Sequence, residues 1–331
     1  MTGSAYFGRY RAGLHFLGAH VSTSVKQFRT YEEQVNLLLS RGMVIDDRDS
    51  AITQLRLVNY YRLSGYWYPF RIISNGKRTS DFFPGTTLNQ VIDLYDFDAR
   101  LKTATLDALA PVELSLRALL GHELGGIDEC AHLKPELLGP RGTVIDVNGK
   151  KVGSDQYLKW LKKYETGLDN SHEDFVSHHI ENYDGTLPVW AAVEILDLGS
   201  LRYLYGFAPR SVQNSVAQHF GLSSPQLESW MRSLEIVRNA CAHHGRLFNR
   251  VYAKTPKLPA INRYPDLDQA GPYMTRSFGQ LSLIQHMRVM LGIKRSRMLS
   301  AVLASYPTVK PVPLAHLGAP PDWETSSLWA R

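Results

Sequence analysis

The sequence predicts an all-α fold, a helical bundle carrying a small loop- and hairpin-rich insertion. Three observations lead there. Several windows repeat apolar residues at the i, i+3, i+4 spacing of one helix face. Capping residues and glycines close those windows at their ends. Hairpin chemistry is read in one place only, around Asn148-Gly149.

Residues 1–22 read as a loose N-terminal tail rich in Gly, Ser and Ala, and residues 23–331 as a single domain. Thr30 and Glu33 make a capping box, Val35, Leu38 and Leu39 form the apolar stripe behind it, and Gly42 stops the helix. A second helix starts near Asp47 or Asp49 and buries Ile52, Leu55 and Val58. It leads into the aromatic stretch Tyr60 to Arg71, read as a core-forming helix-to-turn segment in which Gly65 breaks the helix. Its rings and arginines also suit stacked bases and phosphates, and Arg62 is the member expected to reach a site.

The longest helix is expected from about Leu88 to Leu124, with Leu101, Leu109, Val112, Leu116 and Leu119 on one face and Pro111 kinking or dividing it. Residues 125–185, broken by Gly and Pro, read as an insertion with a hairpin over Thr143–Val152. Helices resume at about 188–206, 211–220 and 225–244. After a Pro-rich stretch one more runs over about 276–305, within a C-terminal extension from about residue 273.

Composition is ordinary for a globular chain: 331 residues, 44% hydrophobic, 21% charged, with a formal charge of +6. That charge permits an anionic partner without demanding one. No run of about 18 apolar residues occurs, which excludes a spanning helix, and the N-terminus makes a poor signal peptide. The two cysteines, Cys130 and Cys241, form neither a disulfide framework nor a metal knuckle. A cytoplasmic protein with no cofactor and no metal site is expected.

The chemistry concentrates in Arg238-Asn-Ala-Cys-Ala-His243-His244-Gly-Arg246-Leu-Phe-Asn249-Arg250. On a helical wheel Arg238 falls inside the apolar stripe of Leu227, Trp230, Met231, Leu234, Val237 and Cys241. A guanidinium there requires a buried carboxylate or an anionic ligand. His243 and His244 close the helix, and Gly245 is expected to take the positive φ of a C-terminal cap. The block has three arginines, two histidines, two asparagines and no acid, chemistry suited to a phosphodiester. Arg-x4-His alone arises about once by chance at this composition. The chain has a second instance, Arg117 to His122, read as coincidental.

Arg238-Asn239-x-x-x-His243 resembles the signature of the HEPN superfamily. More of the chain is similar to one branch, the Abi-like proteins of bacterial phage defence (abortive infection, AbiD/AbiF type). The matching stretches are Tyr60 to Tyr66, Leu94-Tyr-Asp-Phe-Asp98 with an acid-bearing helix around Glu113, Leu187-Pro-Val-Trp190 to Glu194, Arg238 to Arg250, and Leu317 to Trp323. They fall in order over about residues 26–329.

The resemblance implies a HEPN-like bundle and a metal-independent endoribonuclease that cleaves RNA through the substrate's 2′-OH. Arg238, His243 and Asn239 would be catalytic. His244, Arg246, Asn249, Arg250, Arg62 and Glu113 would bind RNA or support the site, with Glu194 second to Glu113 as the orienting acid. It further implies a homodimer with a composite site. The alternatives are a non-catalytic RNA-binding protein and a toxin neutralised by an RNA or protein antitoxin.

Overall fold

A computed structural model describes residues 25–330; the expected tail at 1–22 lies outside them. Thr30 and Glu33 form the anticipated capping box of α1 (Tyr31–Ser40), and Asp47 caps α2 (Arg48–Val58). Asn59, at φ 74°, turns the chain directly into α3 (Tyr60–Trp67) and accepts from the Tyr61 N–H. Gly65 does not break this helix, contrary to expectation; it lies inside α3 because the Arg246 guanidinium packs where a side chain would stand. A hairpin that periodicity missed follows, β1 (Arg71–Ser74) and β2 (Lys77–Phe82), turning at Asn75-Gly76.

The spine is α4 (Leu88–Gly125), 38 residues long and capped by Thr87 and Gln90. Pro111 does not divide it: the helix is continuous through that position, and the Ala108 carbonyl beside it accepts from Arg288 Nη1 at 2.9 Å. Next come β3 (Thr143–Ile145) and β4 (Lys151–Gly153), the anticipated hairpin. Two helices follow within the stretch read as an insertion, α5 (Asp155–Asp169) and α6 (Asp174–Asn182). Tyr157, Trp160 and Tyr164 of α5 join the main core, so this stretch packs as body as well as loop.

The helix expected at 188–206 is two, α7 (Val189–Ala192) and α8 (Leu198–Phe207), separated where Asp197 caps α8. Then come α9 (Arg210–Gln218), α10 (Ser224–Ala242) and α11 (Pro265–Asp268). The final expected helix is also divided, into α12 (Ser277–Met290) and α13 (Arg297–Ala304), because Gly292 turns at φ 71°.

Two apolar clusters hold the elements together, and each fully buried large side chain contributes about 1.5–3 kcal/mol. The larger packs α4 from Phe97 onward against α7, α8, α10 and α12. The smaller joins α1–α3, the first hairpin and the start of α4, and it receives Phe248 from far along the chain. No described helix is long and apolar enough to cross a membrane.

Candidate functional site

The end of α10 is built by its own sequence. Ser223 and Gln226 cap its start, and Leu227, Trp230, Met231, Leu234, Val237 and Cys241 are buried as the wheel requires. Burial pushes the Cys241 thiol up to about 12, which fits a packed residue. At the far end the Gly245 N–H donates to the Ala240 carbonyl and the His244 N–H to the Cys241 carbonyl. This pair of bonds is a Schellman cap. The left-handed residue of the cap is His244, at φ 55°; Gly245 is not. Gly245 is needed for a different reason, since a Cβ there would stand 3.1 Å from the Ala240 carbonyl oxygen.

Arg238 sits at the rim of the apolar stripe, one-third exposed, and its Nε lies 3.8 Å from Glu113 Oε2 on α4. The other oxygen of Glu113 binds Arg117 Nη2 at 2.9 Å. Arg117 in turn donates to the Glu194 carbonyl at 2.7 Å and lies 3.6 Å from its carboxylate. Glu113 is thus the acid that reaches Arg238, and Glu194 reaches only Arg117. His243, the last residue of the helix turn, is exposed, as are Asn239 and His244. Among the described residues the His243 ring forms no hydrogen bond.

The loop that follows is pinned from below. Asp98 is fully buried on α4, and its Oδ1 accepts the backbone N–H groups of Leu247 (3.1 Å) and Phe248 (2.7 Å). Its Oδ2 accepts from Tyr66 Oη (2.6 Å) and Lys102 Nζ (2.9 Å). Burial, and then the Asp98 charge, hold the Tyr66 hydroxyl well above the ordinary tyrosine range, so it acts as a permanent donor. Arg246 Nη1 bonds the Gly65 carbonyl, and Arg62 Nη1 donates to the His244 carbonyl at 2.6 Å. The aromatic helix α3, the Asp98 turn of α4 and the basic loop therefore meet at one place.

The expected residues fall into two groups. Arg238, Asn239, His243, His244 and Arg62 present polar atoms at the surface around the end of α10. Arg246, Asn249 and Arg250 are half-buried and committed to the chain. Asn249 accepts from Arg276 Nη1 at 3.2 Å, and Arg250 reaches the Arg246 carbonyl and the Tyr252 ring. Asp98 is the residue whose importance sequence reasoning missed. Its signal was the acid–base pair Asp98/Lys102, four residues apart on an otherwise apolar face.

The second Arg-x4-His pair joins the site through Arg117, which shares Glu113 with Arg238. His122 borders a shallow groove of about 570 Å³ with Trp190 and Glu194, where Gly121 and Gly125 let α7 approach α4 closely. Among the described residues no group of three His, Cys, Asp or Glu side chains is placed to hold a metal ion.

The sequence matches a family described as Abi-like protein over residues 53–249, more than half of the chain. The matched span contains α3, Asp98, Glu113, Glu194 and the block from Arg238 to Asn249, and leaves out the similar ending at Leu317–Trp323. No curated protein and no solved structure matches.

Proposed function

The chain belongs to the Abi-like protein family, and from that premise we propose a metal-independent endoribonuclease of the HEPN type, acting as an effector of abortive infection. Family membership supports the defence role and a nuclease activity. The endoribonuclease reading rests on one observation: Arg238, 3.8 Å from the Glu113 carboxylate, and His243, exposed at the helix end, share the terminus of α10.

In this reading neutral His243 takes the proton from the substrate 2′-OH, and the 2′-oxygen attacks the adjacent phosphorus. Arg238 faces the negative charge that develops on the phosphorane oxygens. The 5′-oxygen leaves and is protonated by a second acid, giving a cyclic phosphate and a 5′-OH. Asn239, beside Arg238 on the exposed face, is assigned to hydrogen-bond the phosphate. DNA lacks the internal nucleophile and is not a substrate.

One histidine cannot be base and acid in the same step. The free His243 ring supports a composite site in which a second copy of the chain supplies the other imidazole. The same lack of an orienting partner is what favours the competing reading, a non-catalytic RNA-binding protein.

The test is cleavage of end-labelled RNA in EDTA by the wild type, His243→Ala and Arg238→Ala. The expected result is chelator-resistant cleavage by the wild type, lost in both variants, from a protein whose light-scattering mass is that of a dimer. Equal RNA binding without cleavage in all three would establish the competing reading. Cleavage by a strict monomer would remove the composite site.

A further inference from the structure

One surface beside the site is unused by the chemistry above. Two tyrosines of the aromatic stretch, Tyr61 and Tyr68, are about half exposed or more, while Leu63, Tyr66, Trp67 and Phe70 between and after them are buried. They are seven residues apart on nearly the same side of α3 and the turn after it, a separation of about 10 Å. A few nucleotides of extended strand cover that distance.

Each exposed ring has a cation against it. Lys26 Nζ lies 5.5 Å from the centre of the Tyr61 ring. The guanidiniums of Arg71 and Arg78 lie 5.9 and 5.3 Å from that of Tyr68. Arg78 is fixed there by two hydrogen bonds of 2.9 Å from its Nη1 to the Pro69 and Arg71 carbonyls. Neither α3 nor β1 carries an acid; β2, which supplies Arg78, has Asp81 three residues further on. Arg62, next to Tyr61 and about 100° round the helix from it, is bonded to the His244 carbonyl, so the end of α10 borders the face that carries the rings.

Rings flanked by cations, one of them fixed by hydrogen bonds, with no acid on α3 or β1, are the equipment of a single-strand binding surface: every base has a π-face to stack, and the cations follow the backbone. A paired base keeps both faces inside its own stack and cannot use such a platform. We propose that Tyr61 and Tyr68 form a stacking track that delivers single-stranded RNA to the end of α10. The proposal rests on the RNA reading above and narrows its substrate to unpaired RNA.

The experiment uses His243→Ala protein, which leaves labelled RNA intact, and measures fluorescence anisotropy with a 12-nucleotide unstructured RNA and with a blunt duplex. The parent is compared with added Tyr61→Ala, Tyr68→Ala, and Tyr61→Phe/Tyr68→Phe. Each alanine is expected to weaken single-strand binding about tenfold, the paired phenylalanines to retain it, and the duplex to bind weakly throughout. In parallel, 5-bromouridine RNA irradiated on the unsubstituted track should crosslink to Tyr61 or Tyr68, a readout that does not depend on variants folding. Full binding by both alanine variants, equal affinity for duplex, or crosslinks confined to other surfaces would each overturn the track. Because binding is read without turnover, failure of the cleavage reading leaves this result interpretable on its own.

Discussion

The carboxylate of Asp98 accepts the backbone N–H of Phe248 at 2.7 Å across 150 residues of sequence, and this bond fixes where the basic loop begins. The same carboxylate compensates the buried Lys102 and orders Tyr66. Removing one partner of a buried ion pair strands the other charge, which costs about 3–5 kcal/mol. Asp98→Ala is therefore expected to lower unfolding free energy by about that amount in urea titrations. A loss under about 1 kcal/mol would show that the hub is dispensable.

Glu113 acts differently: its Arg238 partner is partly solvated, and its more buried Arg117 partner keeps the Glu194 carboxylate beside it. Arg238 is one-third exposed, so the ion pair adds less than about 1 kcal/mol to stability. Its value lies in holding the guanidinium in place. Glu113→Gln is expected to leave the unfolding midpoint nearly unchanged and to reduce the single-turnover RNA cleavage rate at least tenfold. Glu194→Gln, touching only Arg117, should cleave within about twofold of the wild type.

The helix cap offers a test without substrate. A non-glycine residue in the left-handed region costs about 1–2 kcal/mol, and His244 occupies it. His244→Gly is expected to stabilise the fold by about 1 kcal/mol, read as a higher melting temperature. Gly245→Ala should do the reverse, because the added methyl meets the Ala240 carbonyl. An unchanged melting temperature in both would mean the cap is not formed.

Acid should unfold this protein early. His132 is fully buried with neither ring nitrogen bonded, and burial pushes it from 6.5 down to about 4. His286, packed between Trp230 and Tyr264, is also pushed down to about 4 by burial. The unfolded chain binds these protons near pH 6.5 and the folded chain does not. Stability from both groups is thus complete above about pH 6.5 and declines as pH falls toward 4, by up to about 1.4 kcal/mol per unit per histidine. Urea midpoints at pH 7.5, 5.5 and 4.5 should fall accordingly, and His132→Phe should flatten the decline.

The helical class, the capping box of α1 and the buried stripe of α10 were legible because each depends on neighbours within a turn or two. The hairpin β1–β2 was marked by Asn75-Gly76 but follows directly on an aromatic run that already had a helix-to-turn reading. The breaks at Asp197 and Gly292 depend on where a helix must turn to stay on the core, which periodicity does not encode. At the site, a charge on the apolar face of α10 announced that Arg238 needs a carboxylate, and Glu113 supplies it. That Arg246 would be spent on the Gly65 carbonyl was not legible, since the contact joins residues 181 apart.

Asp98 and Glu113 stand on one rod. Fifteen residues of α4 separate them, about 22 Å of rise, and between them they grip the two ends of the same short stretch, the loop at Phe248 and the helix at Arg238. The rod works as a gauge: the position of the arginine relative to the histidine's loop is set by a count of peptide units. Pro111, two residues before Glu113, removes one backbone bond from that gauge. The turn that lacks this bond lies next to the carboxylate that faces Arg238.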